Sequence, residues 1–119
     1  MSELRSETDL VSAVRQEGDA IVASVRGEID LHNSPQVRTQ LLKFLDEHKP
    51  KKLVLNLKEV PYMDSSAIAV LVEALQRLRR ASGKLYLTDL QPRVKGLLEI
   101  ARLDTIFVLA KDEAEALSK

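Results

Sequence analysis

The sequence predicts a mixed α/β fold in which a β-sheet of four to five strands packs against about four helices. Short segments rich in valine, isoleucine and leucine alternate with longer segments whose apolar residues recur at helical spacing. A glycine-containing turn joins the first two short segments, whereas helical segments separate the later ones, which indicates parallel crossovers. Because no proline- or glycine-rich linker interrupts the 119 residues, we expect residues 1–119 to form a single domain.

The first two strands are expected to form a hairpin that leads into a helix. Segments 10–15 and 20–26 are rich in valine and isoleucine, and Gly18 between them supplies the turn. Further along the chain, Ser34 is predicted to be a helix N-cap. Pro35 follows it at the first helical position, where the missing N–H does no harm.

The middle of the chain combines a buried strand with a long amphipathic helix. Pro50 marks the end of the first helix, and residues 52–57 then become almost continuously apolar, as is typical of a buried strand. A second helix is expected from about Asp64 to about Ala81, since its apolar residues recur at helical spacing. Gly83 follows at the position where a left-handed C-terminal cap is expected.

The C-terminal third is expected to complete the sheet. Residues 85–87 and 105–109 are predicted strands, and residues 92–101 and 111–117 are predicted helices. The predicted element order is therefore β-β-α-β-α-β-α-β-α. This order implies a mixed sheet with parallel β-α-β crossovers and helices packed against it.

The composition excludes several classes of function. Eighteen lysines and arginines balance eighteen aspartates and glutamates, so no surplus of basic charge favours a nucleic acid as partner. The absence of cysteine excludes disulfides and thiolate chemistry. The longest apolar run, residues 67–72, is far shorter than the roughly 20 residues of a membrane-spanning helix. Residues 1–7 lack the apolar stretch of a signal peptide, so we expect a cytoplasmic protein without direct membrane insertion.

No set of residues in the sequence indicates conventional catalysis. The only histidines are His32 and His48, and no serine lies in a G-x-S-x-G sequence. His48 lies in a polar helix end and is expected to be solvated. Asp30 and His32 are both potential metal ligands, but two ligands without a third do not define a metal site. We therefore predict neither enzyme activity nor a metal or cofactor.

The sequence Asp64-Ser65-Ser66 lies between an apolar strand and the start of an amphipathic helix. Its structural interpretation is a helix cap, in which one of these side chains accepts a hydrogen bond from a free backbone N–H. Its functional interpretation is a phosphorylation site, because a phosphate here would lie near the positive end of the helix dipole. The two interpretations are compatible with each other.

The long helix carries two apolar lines. The first line is expected to face the sheet and consists of Ala67, Ile68, Leu71, Ala74, Leu75 and Leu78. The second line follows i, i+4, i+7 and i+11 spacing and consists of Ser65, Ala69, Val72 and Gln76. The second line indicates either an unusually wide buried face or a contact surface for another protein with the serine at its edge.

Three parts of the sequence resemble the STAS domains of bacterial anti-sigma factor antagonists. The Asp-Ser-Ser sequence at 64–66 is similar to the signature of that family. The Gly-Glu-Ile-Asp sequence at 27–30 resembles a second motif, which ends an early strand. Residues 87–98 and 103–108 are similar to the C-terminal half of the family. The resemblance covers about residues 9–117 and implies a single STAS-like domain with its core at about these residues.

The resemblance also implies a function in a phosphorylation-controlled partner switch. The unphosphorylated protein would bind an anti-sigma factor that is also a serine kinase, and would thereby release the sigma factor for transcription. The kinase would phosphorylate Ser65, between its neighbours Asp64 and Ser66, and the two proteins would separate. A serine phosphatase acting on phospho-Ser65 would then restore binding.

The expected partner-binding residues come from the early motif and from the second line of the long helix. They are Gly27, Glu28, Asp30, Ala69, Val72 and Gln76. The chain has Ala67 where the family usually has glycine after the two serines. Alanine favours a helix by roughly 1 kcal/mol over glycine, but it reduces backbone freedom and close approach. The free protein is expected to be a monomer.

Two other functions are compatible with the sequence. The first is a STAS regulatory subunit of a multiprotein assembly such as a lipid-transport ABC complex. The second is a small sensor domain that binds a nucleotide or metabolite, although no G-x-G-x-x-G or P-loop sequence supports it. Copurified partners distinguish these functions, because an antagonist would bring an ATPase with it and an ABC subunit would bring transporter subunits.

Overall fold

A computed structural model describes residues 10–119 of the chain. The strands are β1 (Val11–Glu17), β2 (Ala20–Arg26), β3 (Lys52–Glu59), β4 (Lys84–Thr88) and β5 (Val108–Ala110). The helices are α1 (Ser34–His48), α2 (Ser65–Arg80), α3 (Pro92–Ile100) and α4 (Glu113–Ser118). Residues 1–7, where no signal peptide is expected, and residue 9, the expected start of the core, lie outside the described residues.

The five strands form one sheet in the order β1-β2-β3-β4-β5. β1 pairs with β2 in antiparallel orientation, and every later neighbouring pair is parallel. The predicted mixed sheet with about four helices is therefore confirmed. At the outer edge, the register of β1 shifts between Ser12 and Arg15, where Ala13 has a positive φ of 49°.

The core lies on both faces of the sheet because successive residues of each strand point to opposite sides. The larger cluster contains Ile21, Leu53 and Leu85, and it is covered by α1, α2 and α3. The smaller cluster contains Val22, Val54, Tyr86, Ala110 and Ala116, the last of which belongs to α4. Within residues 10–119, no helix combines the length and apolar character needed to cross a membrane.

Two predicted helix caps are wrong. Ser34 does not precede α1 but is its first residue, because its N–H already donates to the Asp30 carbonyl at 2.8 Å and Asn33 occupies the cap position. At the end of α2 the left-handed residue is Ser82, with φ 61°, and not Gly83. The Gly83 N–H instead donates to the Leu78 carbonyl at 2.6 Å, which completes a Schellman motif.

The C-terminal elements differ from the predicted boundaries. The last strand is Val108–Ala110, shorter and later than the predicted 105–109, because the N–H groups of Ile106 and Phe107 donate to the Leu103 carbonyl and prolong the turn after α3. The last helix begins at Glu113 and not at residue 111, since the Asp112 side chain caps it. Both differences arise from local hydrogen bonds that the apolar pattern does not reveal.

Gly83 and Gly96 form a matched pair for testing how tightly α2 packs at its end. A Cβ at Gly83 would lie 3.1 Å from the Lys51 carbonyl oxygen and 3.1 Å from Leu78 Cδ2, whereas a Cβ at Gly96 meets nothing within 4 Å. We expect Gly83→Ala to lower the free energy of unfolding by about 1–3 kcal/mol. Gly96→Ala, inside α3, is expected to raise it by about 0.5–1 kcal/mol. Urea denaturation measures both, and a neutral Gly83→Ala would contradict this packing.

Candidate functional site

The Gly-Glu-Ile-Asp sequence at 27–30 and the Asp-Ser-Ser sequence at 64–66 meet at the N-terminus of α2. Ile29 and Met63 form an isolated parallel bridge, and both side chains are buried. The Ile29 N–H donates to the Tyr62 carbonyl at 3.1 Å, and the Asp64 N–H donates to the Ile29 carbonyl at 3.0 Å. This extension of β-pairing beyond the strands places residues 27–30 beside residues 64–66.

The Asp64 carboxylate is the N-cap of α2. Its Oδ1 atom accepts hydrogen bonds from the backbone N–H of Ser66 at 2.9 Å and of Ala67 at 3.3 Å. Its Oδ2 atom accepts a hydrogen bond from the backbone N–H of Leu31 at 3.0 Å. The predicted cap is confirmed, and one side chain therefore joins the start of α2 to the turn that precedes α1.

These hydrogen bonds hold the pKa of Asp64 below its ordinary value. The largest cause is the Ser66 hydroxyl, which donates to the carboxylate, and the backbone N–H groups of Ala67, Ser66 and Leu31 act in the same direction. Partial desolvation opposes them. Asp64 is therefore a carboxylate at neutral pH, as its capping role requires.

Ser65 and Ser66 have different surroundings despite their adjacent positions. The Ser66 Oγ atom donates to Asp64 Oδ1 at 2.5 Å, and the side chain is half-buried. Ser65 is exposed, and its hydroxyl makes no hydrogen bond to any residue between 10 and 119. The structure thus leaves the hydroxyl of Ser65 accessible and commits that of Ser66 to the cap.

The turn at residues 27–33 is held by a reciprocal pair of side chains. Asp30 Oδ1 accepts hydrogen bonds from the N–H groups of His32 and Asn33, at 2.9 and 3.2 Å. Asn33 Oδ1 accepts from the Asp30 N–H at 2.8 Å, and Asn33 Nδ2 donates to the Glu28 carbonyl at 2.9 Å. Gly27 begins the turn with a φ of +88°, which glycine adopts more readily than other residues.

Asn33 is a structural residue of this site that the sequence-based reasoning missed. The available signal was an aspartate followed three residues later by an asparagine just before a helix, a pattern typical of side-chain-stabilised turns. The Asp30 side chain is engaged in shaping this turn. Among residues 10–119, no group of three or more histidine, cysteine, aspartate or glutamate side chains is placed to hold a metal.

The sheet-facing line of α2 is mostly as predicted, with one exchange. Ala67, Leu71 and the later members of the line are buried, but Ile68 is only half-buried. Val70, which was not predicted to face the sheet, is buried instead. Ala67 is 3% exposed, so the methyl group that replaces the family's usual glycine lies in the core. It therefore does not change the exposed surface beside Ser65.

The second line of α2 remains largely accessible. Ser65, Ala69 and Gln76 are exposed, whereas Val72 is half-buried and packs against the core. Ala69, Val72 and Gln76 border an open depression. Its other lining residues are Glu73, Arg77 and Arg80. The alternative of a wide buried face is thus wrong for three of the four second-line residues.

Ion pairs link the outer sides of α1 and α2, whose inner sides pack together in the core. Arg38 donates to both carboxylate oxygens of Glu73, at 2.6 and 2.7 Å. Nearer the other end of the helices, Arg77 donates to Asp46 at 3.0 Å. The first pair is bidentate, a geometry that fixes the relative position of the side chains as well as attracting them.

Acid is expected to weaken the link at Asp64. A carboxyl group with a lowered pKa in the folded state stabilises the fold above its unfolded pKa, and this contribution is lost as the pH falls through the folded pKa. The variant Asp64→Asn keeps a capping oxygen but does not titrate. We expect the gap in unfolding free energy between the wild type and Asp64→Asn to be largest near neutral pH and to shrink below about pH 4. A gap that is independent of pH, measured by urea denaturation, would contradict this role.

Comparisons with known proteins agree with the fold described above and with the family resemblance of the sequence. A family model described as the STAS domain matches residues 11–116. The chain is 32% identical to the anti-sigma-B factor antagonist of Bacillus subtilis (strain 168), over 84% of this chain and 91% of that protein. It is 28% identical to the anti-sigma F factor antagonist of Paenibacillus polymyxa, over 83% of this chain and 85% of that protein.

A solved structure shows the same fold. The crystal structure of an anti-sigma factor antagonist from Mycobacterium paratuberculosis superposes with a TM-score of 0.81 at 23% identity. The match covers 96% of this chain and 97% of that one. The family resemblance inferred from the three motifs is confirmed, and the chain belongs to the STAS domain family.

Proposed function

We propose that the chain is an anti-sigma factor antagonist in a partner switch controlled by phosphorylation of Ser65. The unphosphorylated form binds an anti-sigma factor that is also a serine kinase, and phosphorylation releases it. The observation that carries this proposal is the contrast between the two serines at the start of α2. Ser65 offers an exposed hydroxyl without a partner among residues 10–119, whereas the Ser66 hydroxyl is bound to Asp64.

Phosphoryl transfer favours Ser65 for a chemical reason. The serine oxygen attacks the γ-phosphorus of ATP, the bond from that phosphorus to the bridging oxygen breaks, and the hydroxyl proton passes to a base of the kinase. The Ser66 proton is already donated to Asp64, and moving Ser66 would also remove two hydrogen bonds from the cap of α2. Ser65 can enter a kinase site without any such loss.

The added phosphate acts mainly through its charge. It brings about −1.5 to −2 units of charge next to the Asp64 carboxylate. The N–H groups of Ser66 and Ala67 are already bound to Asp64, so they are not available to neutralise the new dianion. A complex that covers this position has to desolvate the phosphate, which is costly without a paired cation. Phosphorylation therefore opposes binding without unfolding the domain.

The surface on both sides of Ser65 is the proposed partner contact. On one side lie residues of the early motif, Gly27, Glu28 and Asp30, and on the other lie three residues of α2, which are Ala69, Val72 and Gln76. The bridge between Ile29 and Met63 keeps the two sides in a fixed relation. A serine phosphatase acting on phospho-Ser65 restores the binding form.

The remaining parts of the proposal concern the whole chain. The 119 residues act as a single cytoplasmic domain without enzymatic activity, and the free protein is a monomer. The relatives named above are antagonists, which favours this function over a subunit of an ABC assembly or a metabolite sensor. Copurification tests the choice, since an ATPase partner supports the proposal and transporter subunits would contradict it.

The site of modification is the first test. With the copurified kinase and ATP, we expect mass spectrometry to find phosphate on Ser65 and not on Ser66. Ser65→Ala should bind the kinase constitutively, and Ser65→Asp should bind poorly because its charge has to be desolvated. Ser66→Ala is the matched control and should still be phosphorylated. Phosphate on Ser66 in the wild type would exclude the assignment.

The partner contact on α2 is tested at Ala69. Because Ala69 is exposed, Ala69→Glu should change the free energy of unfolding by no more than about 0.5 kcal/mol. In the complex it would bury an unpaired carboxylate, so affinity should fall at least about a hundredfold. Val72 is a less suitable site, since it is half-buried and a charge there would also disturb the core.

Leu75→Glu is the control for Ala69→Glu. Leu75 is buried, so a carboxylate there should destabilise the free domain by several kcal/mol. Thermal unfolding and partner affinity are measured on both variants. A stable Ala69→Glu variant with wild-type affinity would remove α2 from the proposed interface.

A further inference from the structure

Leu31 is a large apolar side chain in an unusual position. It is 75% exposed, and within residues 10–119 the other exposed large hydrophobic side chain is Ile100, at 83%. Leu31 lies in the turn before α1, directly after the early motif, and was not among the predicted contact residues. Single exposed apolar residues are common, so exposure by itself decides nothing.

The backbone of Leu31 is unusually well fixed for an exposed turn. Its N–H donates to Asp64 Oδ2 at 3.0 Å, and the carbonyl of Ile29, two residues earlier, accepts from the Asp64 N–H at 3.0 Å. On the other side, Asp30 and Asn33 close the turn through their side chains. Because the backbone around Leu31 is already ordered, a partner that covers it does not have to order the loop, which favours tight binding.

We infer that Leu31 is an apolar anchor that inserts into an apolar pocket of the kinase that phosphorylates Ser65. The inference rests on the proposed function and extends its contact surface to a new residue. Asp64, which accepts the Leu31 N–H, directly precedes Ser65. A kinase that reaches the Ser65 hydroxyl has to cover its immediate surroundings, and a stable interface covers about 800 Å² on each partner. Leu31, whose N–H donates to the residue directly before Ser65, belongs to these surroundings.

The chemistry of the position agrees with an anchor and not with a rim contact. Hot spots of protein interfaces lie near the centre of the contact in well-packed pockets without water, and the residues around them exclude water. Leu31 lies between the early motif and α2, the two halves of the proposed contact. Ile100 is 83% exposed and is the last residue of α3, a helix that contributes no residue to either half of the proposed contact.

The test compares Leu31→Ala with Ile100→Ala in binding to the copurified kinase. We expect Leu31→Ala to weaken the affinity of the unphosphorylated protein by about tenfold to a hundredfold. Leu31→Met should restore it to within a few-fold, because it keeps an apolar side chain of similar volume. Ile100→Ala should bind like the wild type. In phosphorylation assays Leu31→Ala should raise KM and leave kcat unchanged.

Methyl NMR of the wild-type protein tests the anchor without any substitution. In methyl NMR spectra of the wild type, the Leu31 methyl signals should shift when the kinase is added, and those of Ile100 should not. The anchor would be overturned if the wild type binds the kinase but Leu31→Ala binds equally well, or if the Leu31 methyl signals do not shift. Either result would leave the proposed function standing. Failure of the wild type to bind or be phosphorylated would overturn the proposed function itself.

Discussion

The Asp64 carboxylate satisfies backbone N–H groups from two segments that are far apart in the chain, the start of α2 and the turn before α1. A helix start leaves several N–H groups without partners, and a buried or half-buried one is costly if it stays unpaired. By using both oxygens, Asp64 removes this cost at α2 and fixes the turn at the same time. The Asp64 side chain thus links the turn that contains Leu31 to the start of α2, where Ser65 lies.

This arrangement suits a switch that works by charge on a rigid surface. The bridge between Ile29 and Met63 and the bidentate pair of Arg38 with Glu73 tie the elements around the site together. A phosphate added to Ser65 therefore meets a frame that has few ways to rearrange around it. The two states of the proposed switch differ in electrostatic potential at one point, which a phosphatase can reverse without refolding the protein.

The sequence predicted those features that depend on residue type and periodicity. The element order and the helix that begins near Asp64 were accessible in this way, whereas the proximity of residues 27–30 to residues 64–66 became visible only in the structure. The caps at Ser34 and Gly83 were not, because each depends on which local backbone carbonyl accepts the N–H, and the residue types do not reveal that choice. The sequence placed Ser65 on the second line of α2, but the hydrogen bond that occupies the Ser66 hydroxyl was hidden, since it depends on the geometry of the cap.

The irregular edge strand restricts how other chains can bind. A regular edge strand exposes a row of unpaired backbone groups that a second chain can extend by strand addition. β1 interrupts this row with the bulge at Ala13, and β5 at the opposite edge has three residues. Both edges are thus poor templates for β-augmentation. The proposed contact accordingly uses the loops and helix surface at the carboxyl ends of the strands, and the same edges disfavour aggregation through the sheet.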